Sequence, residues 1–283
     1  MHRTRFLLLA LPILALGGTA LLARGGASEV PKGPPKRIVS LNLCADQLVL
    51  ALADRGQIAG LTRNAADTDM SSQAAKARSL PILKNSAEQI LAIDPDLVVG
   101  MPARRSAAMG VLKDQHYKML DLKTADSLDD IYGSIRDTAA AVGHPERGEA
   151  MIAWMQADLA KIGKPGGGKV AAYYQRRGYM TGTGTLIDDL MQRVGLVNLA
   201  VKLNKPVISQ LSLEEMVAAR PDYLIVESAT DRVADQGTEM LHHPALAGIP
   251  RISIPQAWTV CGSAAYVDAA RGIAGQLARH QGR

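Results

Sequence analysis

The sequence predicts an α/β fold whose parallel strands fall into two halves, and three observations carry that prediction. Short apolar runs recur between helical segments, from "RIVSL" at residues 37–41 to "RISI" at 251–254. Continuous apolar strands separated by helices are the mark of parallel sheets covered on both faces. The stretch "GKPGGGK" at 163–169 divides these runs into two sets, as a glycine-rich connection would. Finally, "SAEQILAIDPDLVV" (86–99) is echoed by "SLEEMVAARPDYLIV" (212–226). Ser-x-Glu, an amphipathic helix, Pro-Asp and a strand recur in the same order, as expected if each half carries the same unit.

Taken in order, the chain opens with Arg3 and Arg5 ahead of an apolar run from Phe6 to Ala23, followed by Gly25-Gly26-Ala27. Residues 1–27 therefore read as a cleaved signal peptide. An uncleaved anchor is the rival, because the run approaches bilayer-spanning length, although Pro12, Gly17 and Gly18 interrupt it. A flexible segment is expected over 28–35, and the first α/β lobe over 36–142. In that lobe "RIVSL" is a strand, 44–54 a helix, "IAGL" a second strand and 86–93 a helix. Asp94-Pro95-Asp96 then turns the chain into the strand "LVVG". "KML" (118–120) precedes a helix over 127–142, which Gly143-His144-Pro145 breaks.

Residues 143–168 hold the next helix and a linker. Pro145 suits a first helical position, and Met151, Trp154, Met155 and Leu159 share a stripe at helical spacing. An ordinary core-facing helix and a bridge between the halves both fit. The second lobe, 169–283, contains "VAAYY" (170–174), helices over 184–194 and 212–219, "YLIVE" (223–227), "RISI" and a closing helix over 263–279. Ser86 and Ser212 suit N-caps, and Glu88 and Glu214 in the first helical turns favour the helix dipole.

Composition excludes several functions. The formal charge is +5, but residues 1–27 hold three arginines and no acid, leaving about +2 on the remainder. With no aromatic residues interleaved in a basic stripe, nucleic-acid binding has little support. "TGTGT" (181–185) lacks the P-loop lysine. There is also no Gly-x-Ser-x-Gly elbow, so catalysis is not expected. His242 and His243 are adjacent, with no spacing that completes a metal site. Cys44 and Cys261 stand at opposite ends of the mature chain. An exported protein invites a disulfide, yet the expectation is two buried or cleft thiols, and the sequence leaves their pairing open.

The export signal, the strand leading into "LNLCADQLVLAL", the repeated Ser-x-Glu/Pro-Asp segment and the central helix together carry a resemblance. Across residues 36–281 the chain resembles the substrate-binding proteins of ABC importers for iron–siderophore complexes, cobalamin and haem. The resemblance implies two Rossmann-like lobes joined by a single long helix, with a ligand cleft between them and no resident cofactor. It also implies a periplasmic monomer that serves an inner-membrane permease and its cytoplasmic ATPase. Glu88 and Glu214 match the acids that dock on permease arginines, with Glu215 as the fallback in the second lobe. His243-Pro244 matches a dipeptide that caps and orients a short helix.

Ligands of open α/β sheets bind beyond the carboxyl ends of the strands. That rule points to Asn42 and Cys44 after the first strand, Arg63 after the second, and Met101, Arg104 and Arg105 after "LVVG". It further points to Tyr174, Arg176 and Arg177 after "VAAY", and to Trp258 after "RISI". Trp258 and Tyr174 offer flat apolar surface, although Trp258 equally suits a gap between loop and helix, and Cys44 a junction. The arginine pairs suit anionic oxygens. The expected cargo is thus an iron(III)–siderophore chelate. Cobalamin or haem is the alternative, with Tyr174, Tyr179 or a histidine able to ligate haem iron. A free-metal receptor and an exported enzyme are the rivals from other classes.

Overall fold

The computed structural model describes residues 33–84, 86–101, 110, 115 and 117–282; the predicted export segment lies outside them. Strands β1 (Ile38–Ser40), β2 (Ile58–Thr62), β3 (Ile82–Leu83), β4 (Leu97–Gly100) and β5 (Met119–Asp121) form one parallel sheet in the order β3-β2-β1-β4-β5. The later strands are β6 (Val170–Tyr173), β7 (Tyr179–Thr181), β8 (Val197–Asn198), β9 (Ile208–Gln210), β10 (Tyr223–Glu227) and β11 (Arg251–Ile254). Of these, β11-β10-β6-β8 make a second parallel sheet, and β7 pairs with β9 in a separate antiparallel ribbon. Among the described residues no strand pairs across the two halves, so the architecture is bilobal. The short strands β3, β7, β8 and β9 have two or three residues each and no apolar run or alternation in the sequence that announces them.

Helices α1 (Leu43–Leu52), α2 (Ala74–Ala77), α3 (Ala87–Ile93) and α4 (Leu128–Val142) belong with the first sheet. Helix α5 (Pro145–Ala160) follows, then α6 (Leu186–Arg193), α7 (Leu199–Lys202), α8 (Leu213–Ala219), α9 (Gln236–Glu239) and α10 (Tyr266–Gln281). Local chemistry sets the ends that matter. Asn42 Oδ1 accepts the Ala45 N–H at 3.0 Å and starts α1 directly after β1. Gly143 ends α4 at φ 90°, where a Cβ would stand 2.7 Å from Pro34. Pro145 then opens α5 at its first position.

Helix α5 is fastened at both ends. Arg147 reaches back to the end of the first lobe's α1, bonding Leu52 O at 3.1 Å and Asp54 at 2.6 Å. Near the other end, Asp158 accepts Arg271 of α10 at 2.6 Å. The buried stripe of α5 runs through Ile152, Met155 and Leu159, whereas Trp154, expected on that stripe, is 45% exposed.

One core runs through the whole described body, from Leu48 of α1 and Ile135 of α4, past Met155, to Ile225 and Ile273. Each sheet has a second, smaller core on its other face, around Ile90 and Val98 in the first lobe and Met216 and Leu224 in the second. The sequence echo is also structural. Ser86 and Ser212 each accept the N–H three residues on, and α3 and α8 both end on a left-handed residue, Asp94 (φ 50°) and Arg220 (φ 45°).

Candidate ligand cleft

Strand order reverses between β1 and β4 in the first sheet and between β6 and β10 in the second. Ligands of open α/β sheets bind beyond the strands' carboxyl ends at such reversals. Ile38 pairs with Leu97, and Ala171 with Tyr223. The same step along each strand from these pairs makes Asn42 the counterpart of Gln175, and Met101 the counterpart of Glu227.

In the first lobe the ends of β1, β2 and β3, on the side of β1 away from β4, wall a cavity of about 790 Å³ that includes Asn42, Thr62, Arg63, Asn64 and Lys84. Two of the predicted ligand residues, Asn42 and Arg63, therefore share one surface. Beneath it Asp46 is fully buried on the first turn of α1, and the Thr62 N–H donates to Asp46 Oδ1 at 3.1 Å. The Thr62 hydroxyl donates to the other carboxylate oxygen. Burial raises the Asp46 carboxyl to about 6, against the lowering effect of the hydrogen bonds from Thr62 and Ser40.

In the second lobe a polar knot fills the reversal. Glu227 Oε1 accepts both the Tyr173 hydroxyl at 3.2 Å and the Gln175 amide at 3.1 Å. The Tyr173 oxygen also lies 3.2 Å from Thr259 Oγ1, and Thr181 donates to Gln175 Oε1 at 3.2 Å. Burial first, and the Glu227 charge second, push the Tyr173 phenol well above its ordinary value. Tyr173 therefore stays a donor.

The two walls are covalently joined. Cys44, on the first turn of α1, is bonded to Cys261, with Cα atoms 5.2 Å apart. The expectation of two free thiols is thereby corrected. That the loop after β11 folds over the start of α1 is a matter of tertiary packing, which no local pattern announces. Contacts around the bond explain the approach: a Cβ on Gly262 would stand 2.4 Å from Ala125 of the first lobe.

Other predicted residues are placed differently. Tyr174 is wholly buried in the second lobe's outer core, where its hydroxyl donates to Leu211 O at 3.0 Å. Successive strand residues face opposite ways, so Tyr173 takes the position at the reversal that was assigned to its neighbour. Arg176 is exposed and engaged in an ion pair with Asp235, which withdraws it from the basic wall expected there. Arg177 is exposed at φ 58° in the same turn. Trp258 is half-buried against the main core, and its ring stands 3.0 Å from where a Gly272 Cβ would be. Met101 is half-buried at the end of β4, while Arg104 and Arg105 lie outside the described residues.

Sequence reasoning passed over Glu227 and Gln175. The available signal was a carboxylate closing the otherwise apolar strand "YLIVE". Among the described residues no group of three or more His, Cys, Asp or Glu could hold a metal ion. His242 instead bonds the Thr230 carbonyl at 2.7 Å, and His243 Nδ1 accepts the Ala245 N–H at 3.2 Å, capping the short helical turn Pro244–Leu246.

Away from the cleft, Glu88 and Glu214 hold equivalent exposed positions on the first turns of α3 and α8. Glu215, the fallback, is committed: it caps Ser212 N–H at 3.0 Å and pairs with Lys205 at 2.9 Å. Leu91 and Val217, one turn beyond the two acids, are exposed at 49% and 39%.

The sequence pattern of the periplasmic binding protein family matches residues 38–252, spanning both sheets. This chain is a periplasmic binding protein. The family consists of solute-binding proteins, not enzymes, and its members act on the extracytoplasmic side of the membrane. A vitamin B12-binding protein of Pectobacterium carotovorum is 26% identical over 86% of this chain and 88% of its own length. A cobalamin-binding protein of Halobacterium salinarum is 24% identical over 70% of this chain. That alignment spans 56% of the relative, little more than half its length. Among solved structures, the periplasmic heme-binding protein RhuT of Roseiflexus superposes with a TM-score of 0.67 at 23% identity, covering 86% of this periplasmic binding protein and 99% of RhuT. The Vibrio cholerae vitamin B12-binding protein BtuF gives 0.65 at 16% identity over 88% of this chain and 99% of its own. At these identities the superpositions establish the fold.

Proposed function

We propose that this periplasmic binding protein captures a metal-centred macrocycle for an ABC importer, and that a corrinoid of the cobalamin type suits its cleft best. The observation that carries the choice is the second lobe's wall. Arg176 is spent on Asp235, and the strand ends present Gln175, Glu227 and Thr259. A ferric chelate rich in carboxylate or catecholate oxygens calls for directed cations on both sides. A corrinoid, edged with carboxamides, calls for the mixed donors and acceptors found here. The cobalamin-binding relatives support the same reading.

The iron–siderophore reading retains one specific support, because Arg63 and Lys84 both line the first lobe's cavity. Calorimetric titration of the mature protein with cyanocobalamin, haemin, a ferric hydroxamate and ferric citrate separates the two. Tight cyanocobalamin binding is expected. Binding of a ferric chelate alone would return the assignment to siderophores.

A further inference from the structure

We infer that Glu227 is a ligand-recognition residue whose open carboxylate oxygen, flanked by Gln175 and Thr259, accepts an amide N–H from the ligand edge and turns carboxylate-edged ligands away. The inference rests on the corrinoid reading of the cleft and names the group that would make that choice.

Glu227 is 94% buried, since only 6% of its surface remains exposed. Among the described residues it makes no ion pair, and its hydrogen-bond partners, Tyr173, Gln175 and Thr230, are uncharged. A carboxylate so placed needs hydrogen bonds to offset its lost hydration. Here both internal donors, Tyr173 and Gln175, converge on Oε1. Oε2 meets no donor among the described residues, and it is not one of the side-chain atoms sealed in the core without a partner. One oxygen is thus anchored while the other stays open at the strand reversal where ligands of such sheets bind.

A purely structural role fits this arrangement poorly. A bond tying β6 to β10 could be made by Tyr173 and a backbone carbonyl, with no buried charge. The counterpart position in the first lobe is Met101, so the fold itself does not require an acid there. Tyr173, held protonated by burial and by the Glu227 charge, keeps Oε1 occupied and leaves Oε2 for an incoming donor. A site built to accept an N–H discriminates strongly, because a ligand without that donor leaves the buried group unpaired. A carboxylate in the same place adds like-charge repulsion in a poorly hydrated setting. Corrinoid carboxamides supply the donor, whereas haem propionates and citrate supply the repelled charge.

The test is Glu227→Gln in the mature protein, which keeps an oxygen for Tyr173 and removes the charge. Cyanocobalamin and haemin are titrated against the wild type and the variant, with thermal melts confirming the fold. We expect cyanocobalamin affinity to fall at least about tenfold, as for a lost bond to a charged acceptor, and haemin affinity to rise. Should E227Q melt early, Glu227→Asp keeps the charge but withdraws it from the cleft; it should lose cyanocobalamin affinity without gaining haemin. If the wild type binds cyanocobalamin and the variants bind it equally well, the Glu227 assignment is overturned while the corrinoid reading stands. If the wild type ignores cyanocobalamin but binds a neutral amide-bearing ferric hydroxamate in a Glu227-dependent way, the corrinoid reading falls and the role of Glu227 stands.

Discussion

Asp96 and Asp222 perform the same task in the two lobes. Each follows a left-handed residue and a proline, and each ties the start of its lobe's central sheet. Asp96 accepts the N–H groups of Lys36 and Arg37, both at 2.8 Å, just ahead of β1. Asp222 accepts Val170 N–H of β6 at 2.8 Å and Lys169 Nζ at 3.2 Å. Replacing either acid with alanine strands backbone donors at a strand start. The expected loss is about 1–3 kcal/mol per site, read as a melting point lower by roughly 2–10 °C. Equal losses at the two sites would mark the repeat as energetic as well as geometric; no change at either would leave it a geometric echo alone.

Reduction of the Cys44–Cys261 bond releases a link between residues 217 apart in sequence. Removing a native disulfide typically costs about 2–5 kcal/mol, which for a chain of this size lowers the melting temperature by roughly 5–20 °C. A Cys44→Ser/Cys261→Ser double variant should match the reduced wild type and no longer respond to reductant. A reductant-independent wild-type melt would show that the link contributes nothing to stability.

The buried Asp46 makes stability depend on pH in a defined sense. The unfolded chain ionises this acid near its ordinary value of 3.8, the folded chain near about 6. The folded state therefore binds the proton more tightly, so Asp46 lowers stability as pH rises through that window. The penalty is complete above about pH 6 and amounts to at most about 3 kcal/mol. Asp46→Asn should consequently gain on the wild type between about pH 4 and about pH 7 in paired thermal melts. The lowered acids, such as Asp54 and Asp235, cancel in that difference. A constant gap across the range would mean that Asp46 titrates normally in the fold.

Glu88 and Glu214 are exposed at equivalent positions of α3 and α8, and we propose that they dock on a membrane permease. Alanine at both should reduce transport in reconstituted vesicles and weaken its dependence on salt, as expected when complementary charges guide encounter. Affinity of the soluble protein for its cargo should not move. If cargo binding fell while permease association held, the acids would belong to ligand capture.

Much of this architecture was legible because its strands are long enough to read. "LVVG", "YLIVE" and "RISI" fall on β4, β10 and β11, and the Ser-x-Glu echo marked the paired helices. Helix boundaries held wherever a capping residue or a proline fixed them, as at Ser127 and Pro145. The cleft was less legible. Tyr173 and Tyr174 are adjacent, and only the phase of the strand decides which one faces the reversal; nothing in "VAAYY" states that phase. Arg176 read as a free cation because Asp235, its partner, comes from a distant loop. The disulfide was hidden for the same reason, its halves being brought together only by tertiary packing.

That wide sequence span sets an order of events during export. Cys44 leaves the cytoplasm among the first residues of the folded body, and Cys261 among the last. Until Cys261 is in place, Cys44 has no other cysteine in the chain to pair with. The correct bond can close only after the loop following β11 has arrived. The covalent link between the lobes therefore encloses nearly the whole folded body, and a chain cut short before Cys261 leaves Cys44 unpaired.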